Sequence, residues 1–144
     1  MNGNRALLDS NVLIFISKGV LDLNSLRSEY LKFYASIITY IEVYAFDFSD
    51  KTERDLLDII FRNIEIIDLS SEVAKETVNY RKSRTKKIKL PDAIILASAK
   101  SIGADLITDN YRDFQHIDAS VNIKNIDVFK TSLETIKAPI RTAP

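Results

Sequence analysis

The sequence predicts an α/β protein whose central sheet is parallel and covered on both faces. Three observations carry this. Short apolar runs, too brief for helices, stand at residues 6–8, 64–67 and 106–108. Longer helical patterns lie between them, and strands that alternate with helices imply crossover connections and a parallel sheet. Turn-forming side chains follow strand ends, with Ser10 and Asn11 after the first run and Asp109 and Asn110 after a late one.

The elements follow in order. Ala6, Leu7 and Leu8 form a buried strand that ends at Asp9, and a helix begins around Val12. Residues 21–34 read as a helix leading into a strand over 33–36. Residues 37–48 read as a helix with apolar positions Ile38, Ile41, Ala45 and Phe48. Residues 50–61 are a cleaner amphipathic helix, with Leu56, Leu57, Ile60 and Phe61 on one face. After the strand at 64–67, Ser70, Ser71 and Glu72 start a helix that runs to about Lys82. A basic connection, residues 81–89, leads to a helix opened by Leu90-Pro91-Asp92 and stopped by Gly103. A last strand is expected within 122–128. Residues 1–137 form one domain, and 138–144, with two prolines, form a frayed tail.

Composition narrows the chemistry. Lys and Arg number 20, Asp and Glu number 20, so attraction to nucleic acid must come from a local patch. The absence of cysteine removes thiol catalysis and thiolate metal sites and fits a reducing cytoplasm. No signal peptide and no membrane span is expected. With one histidine, His116, read as a surface or packing residue, a metal site must be built mainly from oxygen ligands.

Four acidic places stand out. Asp9 ends the first strand, at the edge where open α/β sheets build their sites, although it also suits a helix cap. Glu42 has Ile38, Thr39, Ala45 and Phe46 as its helical neighbours, so its own helix offers no salt bridge and the charge shares an apolar face. Asp92 sits at the mouth of a nearly apolar helix. Asp109, Asn110 and Asp113 follow the strand at 106–108. Converging carboxylates repel one another unless a cation lies between them, and hard divalent ions prefer oxygen ligands. An all-oxygen site at a sheet edge suits phosphodiester hydrolysis.

These residues carry a resemblance. The chain resembles the PIN-domain nucleases, and in size and layout the VapC-type ribonuclease toxins of toxin–antitoxin pairs. The matches are Leu8-Asp9-Ser10-Asn11-Val12-Leu13-Ile14, Glu42, Leu90-Pro91-Asp92-Ala93-Ile94-Ile95-Leu96-Ala97 and Leu106-Ile107-Thr108-Asp109-Asn110, closing with Asp113-Phe114. The resemblance covers about residues 5–127, nearly the whole chain. The resemblance implies a Rossmann-like three-layer α/β/α sandwich and an Mg²⁺- or Mn²⁺-dependent endoribonuclease. It implies acidic metal ligands at Asp9, Glu42 and Asp92. In relatives the fourth acid often stands two residues after the Thr, which here is Asn110; Asp109 is one residue early and takes the role, with Asp113 in reserve. Asn11, Thr108 and Asn110 would hold the acids or water in place.

Arg81, Lys82, Arg84, Lys86, Lys87 and Lys89 crowd just before Asp92. Of these, Arg84, Lys86, Lys87 and Lys89 are candidate contacts to RNA phosphates. The resemblance also implies an antitoxin partner and a homodimer. The aromatic run Tyr30, Phe33, Tyr34, Tyr40, Tyr44, Phe46 and Phe48 adds a hint of an interface. Two other readings compete. A phospho-signalling receiver domain would need an acidic pair at the first strand and a late Lys, and neither is present. A PIN-like module that binds RNA or protein without cutting would not need the acids.

Overall fold

The computed structural model describes residues 4–129. The expected tail, 138–144, lies outside the described residues. Strand β1 is Arg5–Leu8, followed by helix α1, Ser10–Ser17, and a short α2, Leu23–Arg27. Strand β2, Lys32–Ser36, runs directly into α3, Ile37–Tyr44, and then α4, Lys51–Asn63. Strand β3, Glu65–Ile67, leads to α5, Ser71–Arg81, and α6, Leu90–Ile102. Strand β4, Asp105–Thr108, the single-turn α7, Tyr111–Phe114, and β5, Ile123–Asn125, complete the order. The last strand is shorter than the stretch expected for it.

The helices start where short polar side chains can bind free backbone donors. Asp50 accepts from the Thr52 amide at 2.9 Å, Ser70 from Val73 at 3.1 Å, and Ser36 from Ile38 at 3.1 Å. Helix α6 carries Pro91 in its first turn and ends on Gly103, whose φ of 63° is the left-handed conformation that glycine adopts freely.

All five strands pair in parallel, in the order β3-β2-β1-β4-β5. Side chains on β1 alternate between two cores. Ala6 and Leu8 pack with Val12, Leu13, Leu57 and Ile60 beneath α1 and α4. Leu7 packs with Val73, Ile95, Leu96 and Phe114 beneath α5, α6 and α7. The sheet is therefore buried on both faces, as parallel sheets generally are. This is the predicted α/β/α sandwich.

Helix α3 departs from expectation. It stops at Tyr44, four residues before Phe48, with Ala45 as its C-cap, and the Asp50 side chain caps α4. Its buried residues are Thr39 and Val43, whereas Ile41 is 55% exposed. The helix touches α1, α6, β2 and β3. The aromatic run divides. Tyr30 and Tyr34 enter the cores, Tyr40 and Tyr44 stack against Phe61, and Tyr40 and Phe46 keep large exposed faces.

Candidate metal and nucleic-acid site

Strand β1 pairs with β2 on one side and β4 on the other. The chain order reverses there, and a crevice opens beyond the carboxyl ends of β1 and β4. Asp9 stands at that point. Its backbone amide donates to the Ile107 carbonyl at 3.0 Å, extending the pairing by one residue and fixing the carboxylate at the sheet edge. Its side chain is only 8% exposed. The Ser10 amide donates to Oδ1 at 2.7 Å, and the buried Thr108 hydroxyl donates to Oδ2 at 2.8 Å. Asp9 is thus the cap of α1 and a floor residue of the crevice at once.

The other acids reach the same place from different elements. Asp9, Glu42, Asp92 and Asp109 line one depression of about 240 Å³ with Ser10, Asn11 and Asn110, and Ile14 and Phe46 form its apolar wall. Glu42 is exposed, and it shares the depression with its helical neighbour Phe46. Its Oε1 accepts from the Ser10 hydroxyl at 2.5 Å. Ser10 read only as a turn former in sequence; its place after Asp9 was the available signal for a second role. Asn11 Nδ2 approaches both oxygens of Asp109, at 3.2 and 3.4 Å. The Asn110 amide donates to Thr108 Oγ1 at 3.0 Å, and its side-chain amide donates to Asp113. Asp113 does not line the depression, but its charge acts on Asp92. The last acidic cluster therefore straddles the site, with Asp109 beside Asp9 and Asp113 beside Asp92.

The electrostatics follow from this crowding. Burial pushes the Asp9 carboxyl up to about 6, against the hydrogen bonds from Thr108 and Ser10, and Asp92 and Asp109 add repulsion. Burial also pushes Asp92 up to about 6, with Asp113 and Glu42 adding to it and Lys89 opposing. A cation would relieve both. The donor set is entirely oxygen, which suits a hard divalent ion. Among the described residues no three acidic or histidine side chains are arranged to grip an ion directly. Mg²⁺ needs only one or two direct carboxylates because it keeps several waters, and Asp9 and Asp92 are two.

The basic connection is not uniform. Arg84, Lys87 and Lys89 are exposed. Arg81 donates to the Ile88 carbonyl at 2.7 Å. Lys86 is half-buried and donates to the carbonyls of Arg112 and Gln115, the latter at 2.9 Å. His116 is exposed, with a positive φ of 68°. A larger open cleft, about 750 Å³, lies at the opposite end of the sheet beside Arg27, Lys32 and Arg62. Among the described residues lining it, Glu65 is the only acid, so they offer no comparable cluster.

Fold and crevice together define an α/β/α protein with an acidic site at the switch point of its parallel sheet. The chain belongs to the PIN domain family, whose model matches residues 6–120. It is similar to a toxin–antitoxin complex from Klebsiella pneumoniae, with 31% identity over 81% of this chain and 94% of that one, at a TM-score of 0.66. VapBC2 from Rickettsia felis, bound to a DNA fragment from its promoter, shares the fold at 22% identity over 84% of this chain and 98% of that one, with a TM-score of 0.70. VapBC-5 from Mycobacterium tuberculosis does so at 21% identity over 85% and 98%, with a TM-score of 0.65. Among curated proteins none matches the sequence. The resemblance read from the four acidic motifs is borne out at the level of family and fold. No helix among the described residues is long and apolar enough to cross a membrane.

Proposed function

We propose that this protein is a divalent-metal-dependent endoribonuclease of the cytoplasm and the toxin of a toxin–antitoxin pair. The observation that carries the reading is the convergence of Asp9 and Asp92, both pushed up to about 6, on one crevice of a PIN domain. Asp9, Asp92, Glu42 and Asp109 would hold Mg²⁺ or Mn²⁺, with Asp113 in reserve. The ion, when bound, supplies positive charge to the oxygens of the scissile phosphodiester and acidifies water at neutral pH.

The chain's own residues set the stage. Thr108 and the Ser10 amide bond both oxygens of Asp9 and favour its ionised form against burial. Ser10 restrains the free end of Glu42, and Asn11 does the same for Asp109. Asn110 links Asp113 to Thr108, which in turn bonds Asp9. Exposed Arg84, Lys87 and Lys89 lead to Asp92 and can contact backbone phosphates, an interaction that fixes register without reading bases. Cleavage of single-stranded RNA in Mn²⁺, lost in EDTA, is the activity this reading requires.

A second reading, a PIN-like module that binds RNA or protein without cutting, is favoured by the lack of three directly converging ligands among the described residues. It predicts RNA binding with no metal-dependent cleavage.

Two partners follow from the surface and the relatives. Tyr40, Ile41, Phe46, Leu56 and Ile59 leave apolar area exposed on α3, α4 and the turn between them, which suits a second copy. An antitoxin would gain most by presenting an Arg to the acidic crevice, since bidentate Arg–carboxylate pairs are strong. Light scattering should give twice the chain mass, and co-expression with the adjacent reading frame should yield a co-purifying inhibitor. A monomeric mass counts against the dimer, and undiminished cleavage counts against the antitoxin.

A further inference from the structure

The six cations before Asp92 look alike in sequence but are held differently. Arg81, at the end of α5, donates to the carbonyl of buried Ile88, which sets the last turn of the connection before α6 begins. Lys86, in the middle of that connection, reaches across to α7. Its ammonium donates to the carbonyls of Arg112 and Gln115, two of the acceptors that a one-turn helix leaves free at its end. A cation there is also favoured by the local dipole. One anchored end of the connection therefore leads to Asp92, and its midpoint grips the turn that carries Asp113. Helices α6 and α7 meet in the core that holds Phe114, and Lys86 adds a polar tie between α7 and the connection that leads to Asp92.

We propose that Lys86 is a positioning residue that braces α7 against the connection to α6 and so sets the spacing of Asp92 and Asp113, rather than a contact to RNA phosphate. Its effect on cleavage rests on the nuclease reading; its effect on α7 does not. Arg84, Lys87 and Lys89 are exposed and remain for phosphate, and Arg84 and Lys87 flank Lys86 in the run.

The test separates the two roles in the full chain. Lys86→Gln should lower kcat at saturating RNA by about tenfold, within the range seen when supports of metal ligands are removed. It should leave the RNA dissociation constant in EDTA, and its salt dependence, unchanged. Amide exchange at Asp113 and Gln115 should accelerate, because their donors lie in the turn that Lys86 holds. Lys86→Arg keeps a donor and should recover most of kcat. By contrast, Arg84→Gln with Lys87→Gln should flatten the salt slope by about 1.4, which is about 0.7 for each lost single-strand phosphate contact. In the wild-type protein the Lys86 ammonium should give a slowly exchanging proton–nitrogen signal that Lys87 lacks, which reads the brace even where a variant fails to fold. A Lys86→Gln salt slope reduced by about 0.7, with kcat and exchange unchanged, overturns the proposal in favour of a phosphate contact. Wild-type ammonium exchange as fast as that of Lys87 overturns it as well. A wild-type protein that does not cut RNA refutes the nuclease reading, while the exchange measurements still decide the brace.

Discussion

Asp9→Asn is expected to lower RNA cleavage by about 100-fold or more while raising the melting temperature of the metal-free protein at neutral pH. The loss of activity follows from removing the most buried charge in the crevice, a larger change than loss of a supporting contact, which alone costs roughly 10- to 100-fold. The gain in stability follows from the same burial. Asp9 titrates near 6 in the folded chain and at 3.8 in its ordinary environment. A carboxyl raised on folding stabilises the fold fully only below its unfolded value, and that contribution is lost as pH rises from about 4 through 6. Above that window the ionised group costs roughly 3 kcal/mol. Asn accepts from the Ser10 amide through its oxygen and donates to Thr108 through its nitrogen, so most of the local bonding survives. The rise should be about 10 °C at pH 7.5 and absent at pH 4. Scanning calorimetry at the two pH values checks this. Equal effects at both would show that repulsion and desolvation are not what the substitution relieves, and wild-type cleavage would leave Asp9 as a helix cap alone.

The second large effect belongs to Thr108. Its buried hydroxyl donates to Asp9 and accepts from the Asn110 amide, so it ties the first acid to the last acidic cluster. In Thr108→Val both links go. The Asn110 amide loses its acceptor, at a cost of about 1–3 kcal/mol where it stays shielded from water. Asp9 loses the strongest of the bonds that oppose its burial, so its titration moves upward from about 6. Cleavage that needs ionised Asp9 should therefore lose its acid-side activity at a higher pH than wild type, by about one pH unit, and fall at least several-fold at pH 7. Pseudo-first-order rates from pH 5 to 9 check this. An acid limb that does not move would mean that Thr108 serves the fold without tuning Asp9.

Much of this was legible in the chain. Strands of apolar residues three or four long, each followed by a polar turn, are a local signal, and β1 and β4 are found where that signal lies. The cap of α4 and the glycine stop of α6 are equally local. The order of acids pointed to one sheet edge, and sheet order brings the ends of β1 and β4 together there.

The remainder depended on relations between elements. Helix α3 buries Thr39 and Val43 rather than Ile41, on the side that meets α1, α6, β2 and β3. Its periodicity alone does not reveal which side those elements cover. Glu42 faces the crevice as an exposed carboxylate held by Ser10. The division of labour in the basic connection was also hidden. The acceptors of Lys86 lie twenty-six and twenty-nine residues away, and nothing in a run of six cations marks the one that is held. Away from the site, Asp105 is buried beside the Tyr30 hydroxyl at 2.7 Å, with Lys124 at 4.0 Å, a support at the other end of the sheet that no motif announced.

The most direct test is cleavage of a labelled single-stranded RNA at pH 7.5 by the purified full chain, in EDTA and after Mn²⁺ is restored, with Asp92→Asn alongside. The acidic crevice predicts no cleavage in EDTA, full recovery with Mn²⁺, and none from the variant in either buffer. Wild-type cleavage that persists in EDTA, or that Asp92→Asn retains, would contradict it.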